Sequence, residues 1–549
     1  MKFIFVSGGV VSGLGKGVTS AALGLTLQAK GFKVTNVKID MYLNVDAGTI
    51  RPAEHGEVFV TDDGIETDQD IGNYERFLGK SLRRENYMTT GQVYMAVINR
   101  ERAFGYEGED VEAIPHVTDE IIDRIKRAGV VNKAEIVIVE LGGTVGEYQN
   151  SLFFEASRIL KFKQPKDVVQ VHVSYLPVIK NIGELKSKPA QQSVRLLNSM
   201  GIQPDFLVAR SEILIDQRRR ERLALFCNMN DEDIIANPDV KSIYELPMIL
   251  EEQKFADKVL KKLGLKARGK DMKEWQEFYA RLVRPKKEVK IAIVGKYFTT
   301  GNYTLSDAYL CVIEAIKHAG AKVGVTPKLE FICCEQLEQE GAKVLEGADG
   351  IIVPQGWGSR GVEGKIEAIK YARTHKIPYL GLCFGMQMAV IEFARNVGKM
   401  AGANSEEADQ KTKYPVIHIM PDQQKYLEEH QYGGTIRLGA WPCKVTTGTI
   451  LEKCYLKHGS GENVLISGVI NERHRHRYEF NNDYREGFQK AGLVISGTSP
   501  DGQLVEAVEL GHDKHPFFVG VQFHPVYKSR PLSPHPIFMG FLDAAKKSK

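Results

Sequence analysis

Val6-Ser-Gly-Gly-Val-Val-Ser-Gly-Leu-Gly-Lys-Gly-Val-Thr-Ser20 is the stretch from which the rest of the chain is read. An apolar β run, Phe3 to Val6, feeds a glycine-rich turn, and a helical pattern with Ala21, Leu23, Leu25 and Leu27 follows. Strand, glycine loop, lysine and helix make a phosphate cradle, in which backbone N–H groups close around an anion and the helix N-terminus adds positive dipole. Lys16 then reaches the terminal phosphates. Two residues depart from the strict phosphate-loop pattern: Val10 stands where the first glycine belongs, and Gly17 replaces the usual Ser/Thr. The alternative is an ordinary glycine-rich βα turn, which a Gly-Lys-Gly at a strand-to-helix junction disfavours. Without the hydroxyl after the lysine, magnesium must find its ligands elsewhere, and carboxylates are the natural source.

Candidate carboxylates follow in order. The run Lys33 to Ile39 reads as a strand ending in Lys38-Ile-Asp40. Ligands in open α/β sheets gather at the carboxyl ends of strands, which puts Lys38 and Asp40 beside a bound triphosphate. The stretch His55 to Asp70 is acidic and loop-like, either a solvated face or the source of cation ligands. Ile136-Val-Ile-Val139 is a strand ending on Glu140, as the second magnesium ligand of phosphate-loop enzymes does. Asp70 and Glu140 are therefore the candidate metal pair. Further strands run over Val168 to Val173 and Phe206 to Ala209, with the basic segment Lys186-Ser-Lys-Pro-Ala-Gln191 between them. Arg218, Arg219, Arg220 and Arg222 form a cluster that is either a solvated helix face or a phosphate contact.

At 549 residues the chain exceeds one core, so two or three domains are expected. A net charge of +4, from 73 basic and 69 acidic residues, argues against a dedicated nucleic-acid binder. None of the seven cysteines forms a CxxC pair, which argues against zinc; the odd count and the lack of a signal-peptide pattern predict a cytoplasmic protein. No apolar run approaches the roughly 20 residues of a membrane span. Residues 266–288 are charged, helix-like from Met272 to Leu282, and close on Pro285-Lys-Lys, which reads as a linker between domains at 1–265 and 289–549. Val289 to Val294 opens a second α/β unit, with further strands at Gly350 to Val353 and Ile377 to Leu380.

The second unit carries its own chemical centre. Gly381-Leu-Cys383-Phe-Gly385-Met-Gln387 follows a strand and opens a helix, the thiol version of a nucleophile elbow. The helix N-terminus is expected to lower the thiol pKa, and the Phe384 N–H to point at a forming oxyanion. Pro354-Gln-Gly-Trp-Gly358 supplies the second donor, the Gly356 N–H. Val519-Gly-Val-Gln-Phe-His524 ends a strand on a histidine, the candidate base.

On these residues the chain resembles the CTP synthase family along essentially its whole length. Matching stretches are 7–17, His55-Gly-Glu-Val-Phe-Val, Glu66-Thr-Asp-Gln-Asp70, Glu140-Leu-Gly-Gly-Thr-Val-Gly146, Gly433-Gly-Thr-Ile-Arg-Leu-Gly439 and Glu472-Arg-His-Arg-His-Arg-Tyr-Glu479. The resemblance implies two doubly wound α/β domains, an amino-terminal phosphate-loop amidoligase and a carboxyl-terminal flavodoxin-like class I glutamine amidotransferase. It implies that ATP phosphorylates the 4-oxygen of UTP and that ammonia from glutamine displaces the phosphate, with Lys16, Lys38, Cys383 and His524 catalytic. Gly13, Leu14, Gly15, Lys16, Gly17, Val18, Asp70, Pro238, Asp239 and Val240 would bind ATP. Ser12, Glu147, Tyr148, Gln149, Lys186, Ser187, Lys188, Pro189, Ala190, Gln191 and Arg222 would bind UTP or CTP. Asp70 and Glu140 would hold Mg2+. Gly356, Phe384, Gly385, Met386, Gln387, Glu407 and Arg477 would hold glutamine. The resemblance further implies GTP as activator, with Gly433 to Gly439 in its lid, CTP as feedback inhibitor, and a homotetramer that falls to dimers at low nucleotide. No nucleic-acid or membrane partner is expected.

Departures from the family pattern carry weight. The family's triad glutamate, two residues after the histidine, is here Val526. A valine can neither orient an imidazole nor stabilise its cation, and loss of the orienting carboxylate in serine triads costs on the order of 10⁴ in turnover. A weakened glutaminase, with ammonia as a working nitrogen donor, is one expectation; another carboxylate reaching His524 is its rival. Gln355 replaces a glycine of the oxyanion turn, which questions the backbone there if φ is positive. Gln149 replaces an acid in the pyrimidine pocket, Arg222 a lysine, and Met41 a proline. Two other readings remain: an amidoligase acting on a carboxylate substrate, and a nucleotide-switched assembly protein with a dead glutaminase scaffold.

Overall fold

The computed structural model describes residues 1–547 except 52, 53, 55, 180–182, 270, 301, 302, 305, 421, 422 and 430–432, so His55 of the acidic stretch lies outside the described residues. The chain forms two compact units, one of Met1–Asp46 with Asp70–Tyr279, the other of Ala47–Gln69 with Ala280–Lys549.

The first unit is built on seven strands: β1 (Lys2–Gly9), β2 (Val34–Asp40), β3 (Tyr87–Thr89), β4 (Ile136–Leu141), β5 (Val168–Tyr175), β6 (Phe206–Ser211) and β7 (Ile234–Pro238). Their order is β7-β6-β5-β1-β4-β2-β3, and every pairing is parallel. β1 and β4 read as near-continuous apolar runs because strands at the centre of a parallel sheet are covered on both faces. On one face Phe3, Phe5, Val137 and Val139 pack against Ile121, Ile125, Phe153 and Leu160. Elsewhere Leu207, Ala209 and Ile234 pack against Ala190, Val194 and Leu223 of helices α3 (Lys188–Ser199) and α4 (Gln217–Cys227). Two earlier helices, α1 (Lys16–Ala29) and α2 (Gln69–Leu78), follow the phosphate-type loop and the acidic stretch. Register places Glu140 opposite Val6 on one side and Lys38 on the other, so the polar ends of three strands lie together.

The main sheet of the second unit has nine strands: β8 (Glu288–Gly295), β9 (Thr326–Cys333), β10 (Gly350–Val353), β11 (Tyr379–Leu382), β12 (Arg437–Val445), β13 (Val469–His476), β14 (Leu493–Thr498), β15 (Val505–Leu510) and β16 (Phe518–Val521). Their order is β9-β8-β10-β11-β16-β15-β14-β12-β13. Pairings are parallel from β9 to β16 and antiparallel beyond it. A hairpin from the amino-terminal part of the sequence, Phe59–Val60 with Glu66–Thr67, belongs to this unit. Arg473 Nη1 donates to the Val60 carbonyl at 3.0 Å, Tyr527 Oη to that of Val58 at 3.0 Å, and Phe59 packs edge-on against the Tyr527 ring. The sequence pattern gave no sign of this excursion. Among the described residues no helix is long and apolar enough to cross a membrane.

The glycine loop contains one conformational cost. Val10, at the position of the missing glycine, has φ 82° and is exposed. A β-branched residue in the left-handed region costs on the order of 1–3 kcal/mol. Val10→Gly is expected to raise stability by ~1 kcal/mol, less the extra chain entropy of glycine, measured as a higher midpoint of the first thermal transition.

Candidate active sites

In the first unit the missing hydroxyl after Lys16 has a steric explanation. A Cβ on Gly17 would lie 2.0 Å from Asp70 Oδ1, so the carboxylate occupies the space a Ser or Thr side chain would need. Lys38 Nζ, reaching from β2, binds Asp70 Oδ2 at 2.5 Å and Glu140 Oε1 at 3.1 Å, with Asp40 Oδ1 at 3.7 Å. The other oxygen of Glu140 accepts from the Tyr74 hydroxyl on α2. Lys16 Nζ donates to the Gly143 carbonyl at 2.7 Å. Burial pushes Glu140 up to about 7 against the pull of Lys38, and burial lowers Lys16. Carboxylates converging on one ammonium, beside a lysine that waits on a backbone carbonyl, fit a divalent cation and an anionic ligand. Magnesium commonly takes only one or two protein carboxylates and completes its shell with phosphate and water.

The loop itself is arranged for an anion. Gly13 and Gly15 have φ 73° and 76°, with nothing within 4 Å of where a Cβ would be, so their backbone faces open space. Ser12 is exposed, Leu14 is buried and Val18 half-buried. Below the loop, His172 bridges Ser7 Oγ and Ser193 Oγ at 2.8 and 2.5 Å, held neutral by burial with its pKa near 3. The sequence reading missed this histidine, whose only signal is its place opposite Ser7 in the sheet.

The nucleotide segments are gathered unevenly. Ser187 caps α3, Lys188 and Pro189 open it, and Ala190 and Gln191 are buried, with Gln191 Nε2 on Ser187 Oγ at 3.0 Å. Ser193 of the same helix would meet a Cβ on Gly9 at 1.6 Å, so α3 starts beside the glycine loop. Lys186 binds Glu184 at 2.5 Å, and Arg219 and Arg222 help hold that carboxyl below its usual range. Asn237 Nδ2 reaches Thr19 Oγ1 on α1 at 3.2 Å, which brings Pro238, Asp239 and Val240 beside the loop's helix. Glu147 instead serves its own turn, accepting from Thr144 N and Oγ1, while Tyr148 and Gln149 are exposed.

In the second unit Cys383 sits between β11 and helix α5 (Phe384–Asn396) with φ 52° and ψ −102°, a strained elbow. Its N–H is tied to the Val521 carbonyl of the neighbouring strand at 2.7 Å, and Sγ lies 3.6 Å from Gln522 Nε2 and 3.8 Å from the Arg475 carbonyl. The expected lowering of the thiol is corrected by the structure: burial pushes Cys383 up to about 12, although the Phe384 N–H and Arg475 oppose the rise. The doubt over Gln355 is also removed. Its φ is not positive, and its amide Nε2 donates to Glu57 Oε1 at 2.7 Å.

His524 is buried and stacks on Tyr527 at 5.0 Å with ring planes 9° apart. Among the described residues neither ring nitrogen makes a hydrogen bond to Cys383 or to a carboxylate, and the Arg475 backbone is the one group beside the ring that supports its protonated form. Burial and the nearby Arg475 cation bring its pKa down to about 3, so the ring is neutral. Val526 is buried on the turn after it. The rival expectation, a substitute carboxylate for the missing glutamate, finds no support among the described residues.

Glu407 and Arg477 line a cavity of about 570 Å³ together with Tyr297, Trp357, Arg360 and Arg475. Phe384, Gly385, Met386 and Gln387 are buried on α5 and do not line this cavity, but Gln387 Nε2 is anchored to the carbonyl of Tyr478, which does, at 2.9 Å. Glu407 Oε1 accepts from the Gly358 N–H at 2.7 Å. Two lysines that the sequence reading missed support the Gly356 turn. Lys296 Nζ holds the Trp357 and Gly358 carbonyls at 2.9 and 2.6 Å, and Lys365 Nζ holds that of Pro354 at 3.0 Å. Both ammoniums lie over the Phe384 ring, at 4.2 and 5.1 Å. Burial lowers them to about 8 and about 7. In sequence they look like ordinary surface lysines of a strand end and a helix.

An anion cradle with paired carboxylates and a cysteine elbow on a second sheet define a ligase fused to a glutamine amidotransferase. Residues 2–265 match the family model for the CTP synthase N-terminus, and residues 304–544 that for class I glutamine amidotransferases. The CTP synthase of Carboxydothermus hydrogenoformans is 51% identical over 100% of this chain and 99% of its own length. That of Caldanaerobacter subterraneus is 49% identical over 99% and 98%. The glutaminase domain of Trypanosoma brucei CTPS with bound acivicin is 38% identical over 47% of this chain and 94% of that one, with a TM-score of 0.41. The chain belongs to the CTP synthase family.

Gly17→Ala is expected to push Asp70 off its position and to cut ammonium-dependent ligase turnover by about a hundredfold, while glutamine hydrolysis persists. For Cys383, the reactive thiolate is the minor form below a raised pKa, so its fraction grows as pH rises. Alkylation of Cys383 by iodoacetamide should accelerate about tenfold per pH unit between neutrality and pH ~9, without a plateau.

Proposed function

We propose that the chain aminates UTP to CTP at the expense of ATP, and that it accepts ammonia more readily than glutamine. The observation that carries the first part is the Asp70 carboxylate in the space beside Gly17, joined through Lys38 to Glu140. In this reading Gly13 to Val18 enclose the ATP phosphates and Pro238 to Val240 take the adenine side. Ser12, the 186–191 segment and Arg222 hold the pyrimidine nucleotide. Magnesium, when bound by Asp70 and Glu140, supplies positive charge to the triphosphate. Lys16 and Lys38 neutralise charge on the oxygens as the γ-phosphoryl passes to the uracil 4-oxygen. Ammonia then forms the new bond to carbon 4, and phosphate leaves with the oxygen.

In the second unit Cys383 attacks the glutamine amide carbon, and the N–H groups of Phe384 and Gly356 receive the oxyanion. Glu407 and Arg477 orient glutamine from the cavity wall. His524 must shuttle the proton from the thiol to the departing ammonia, and its neutral ring, without a carboxylate partner among the described residues, is the observation that favours a slow step. Lys365 and Arg475 provide positive charge near the sulfur that the triad itself lacks. GTP activation, CTP inhibition, a homotetramer and a cytoplasmic location accompany this reading through family membership alone.

Incubation with UTP, ATP, magnesium and ammonium chloride is expected to yield CTP, and its absence would overturn the proposal. Glutamine should be used with lower efficiency than ammonium. Val526→Glu should raise kcat/KM for glutamine by about tenfold or more and leave the ammonium-dependent rate unchanged. Val526→Gln, of similar volume without charge, should give no such gain, which separates the carboxylate from the added bulk.

A further inference from the structure

β9 ends on Cys333, and Cys334 follows at once as the first residue of a short helix. Adjacent residues at a strand end usually point apart. Here both sulfurs donate to one oxygen, Glu335 Oε2, Cys333 Sγ at 2.7 Å and Cys334 Sγ at 3.1 Å. The two sulfurs and the carboxylate oxygen lie within 4.8 Å of one another. The edge of a tetrahedron with metal–sulfur bonds of about 2.3 Å spans roughly 3.7 Å, so small rotations would let all three ligate one ion. Cys334 is buried, and Cys333 and Glu335 are half-buried. Reading cysteines by CxxC spacing passes over this adjacent pair.

We propose that Cys333, Cys334 and Glu335 form a site for a soft divalent cation, zinc or cadmium, separate from the magnesium-type carboxylates of the first unit. Thiolate ligands select such ions over magnesium. Binding exchanges two S–H bonds for two metal–sulfur bonds and releases two protons, and Glu335 Oε2 turns from accepting the thiols to ligating the metal.

The site connects to the oxyanion turn through few contacts. Glu335 Oε1 pairs with Arg360 at 2.8 Å, and Arg360 Nη2 donates to the Lys296 carbonyl at 2.7 Å. Lys296 in turn grips the carbonyls of Trp357 and Gly358. Gly361, next to Arg360, leaves room for no side chain, since a Cβ there would lie 2.0 Å from Cys334 Sγ. A cation on Glu335 neutralises the charge that fixes Arg360 and loosens the turn. The site's occupancy therefore suppresses glutamine use and spares ammonium use, a consequence that rests on the glutaminase reading above.

The test is titration of the full-length protein with cadmium, following thiolate-to-cadmium charge-transfer absorption and proton release. One ion per chain with two protons released is expected. The band should vanish in Cys333→Ser, chosen because this residue is half-exposed, and should persist in Cys383→Ala. Absence of the band in the wild type, or its persistence in Cys333→Ser, overturns the site. In parallel, cadmium should slow glutamine-dependent CTP formation in the wild type but not in Cys333→Ser, with ammonium-dependent formation unaffected. Bound cadmium that leaves the glutamine-dependent rate unchanged overturns the coupling. The binding readout needs no turnover, so it stands apart from the functional reading.

Discussion

The ligase half depends on one buried ammonium. Lys38 sits between Asp70 and Glu140, which come from distant parts of the chain, with Asp40 of its own strand close by. Carboxylates this close would repel one another in a low-dielectric site and would give up charge by binding protons. The lysine's charge holds them together at the carboxyl ends of adjacent strands, where β2 and β4 place it by register. Gly17 belongs to the same arrangement, because only a residue without a side chain leaves room for Asp70. The departure from the phosphate-loop pattern is thus a steric accommodation, and it fixes where the negative charge must be.

The amidotransferase half shows the opposite economy. Its nucleophile is buried, its histidine is neutral and has no carboxylate partner among the described residues, and positive charge comes from Lys365 and Arg475 around the sulfur. Buried lysines are costly to charge, which is why both lysines under the Gly356 turn are lowered toward neutrality. Their hydrogen bonds to three carbonyls hold the turn whose N–H must face the oxyanion. Gln355, which replaces a glycine, turns out to be a structural contact: its amide is fixed by Glu57 and its backbone needs no left-handed conformation.

Much of this was legible in the sequence, for identifiable reasons. The glycine loop, Lys38, Asp70, Glu140 and the cysteine elbow announce themselves because strand-end chemistry follows local patterns of a few residues. His172, Lys296 and Lys365 were invisible because their roles arise from register and burial, which no short window encodes. The thiol's raised pKa was missed for a related reason. A helix N-terminus is a local feature, whereas the desolvation that overcomes it is a property of the whole core. The inclusion of Ala47–Gln69 in the second unit was equally hidden, since its apolar residues look the same whichever sheet they cover.

That hairpin makes the amidotransferase unit discontinuous along the chain. Arg473, with no exposed surface, has its guanidinium on Asp62 and Val60, and Arg475 pairs with Glu66 at 2.8 Å. A fragment starting near residue 280 would therefore carry two arginines stripped of their counter-charges, on the very strand that delivers the Arg475 carbonyl to the sulfur. No single backbone cut separates the two units cleanly. The chain leaves the first unit, contributes a hairpin to the second, returns to finish the first and only then completes the second, so during synthesis that hairpin must wait for the whole of the first unit to be made.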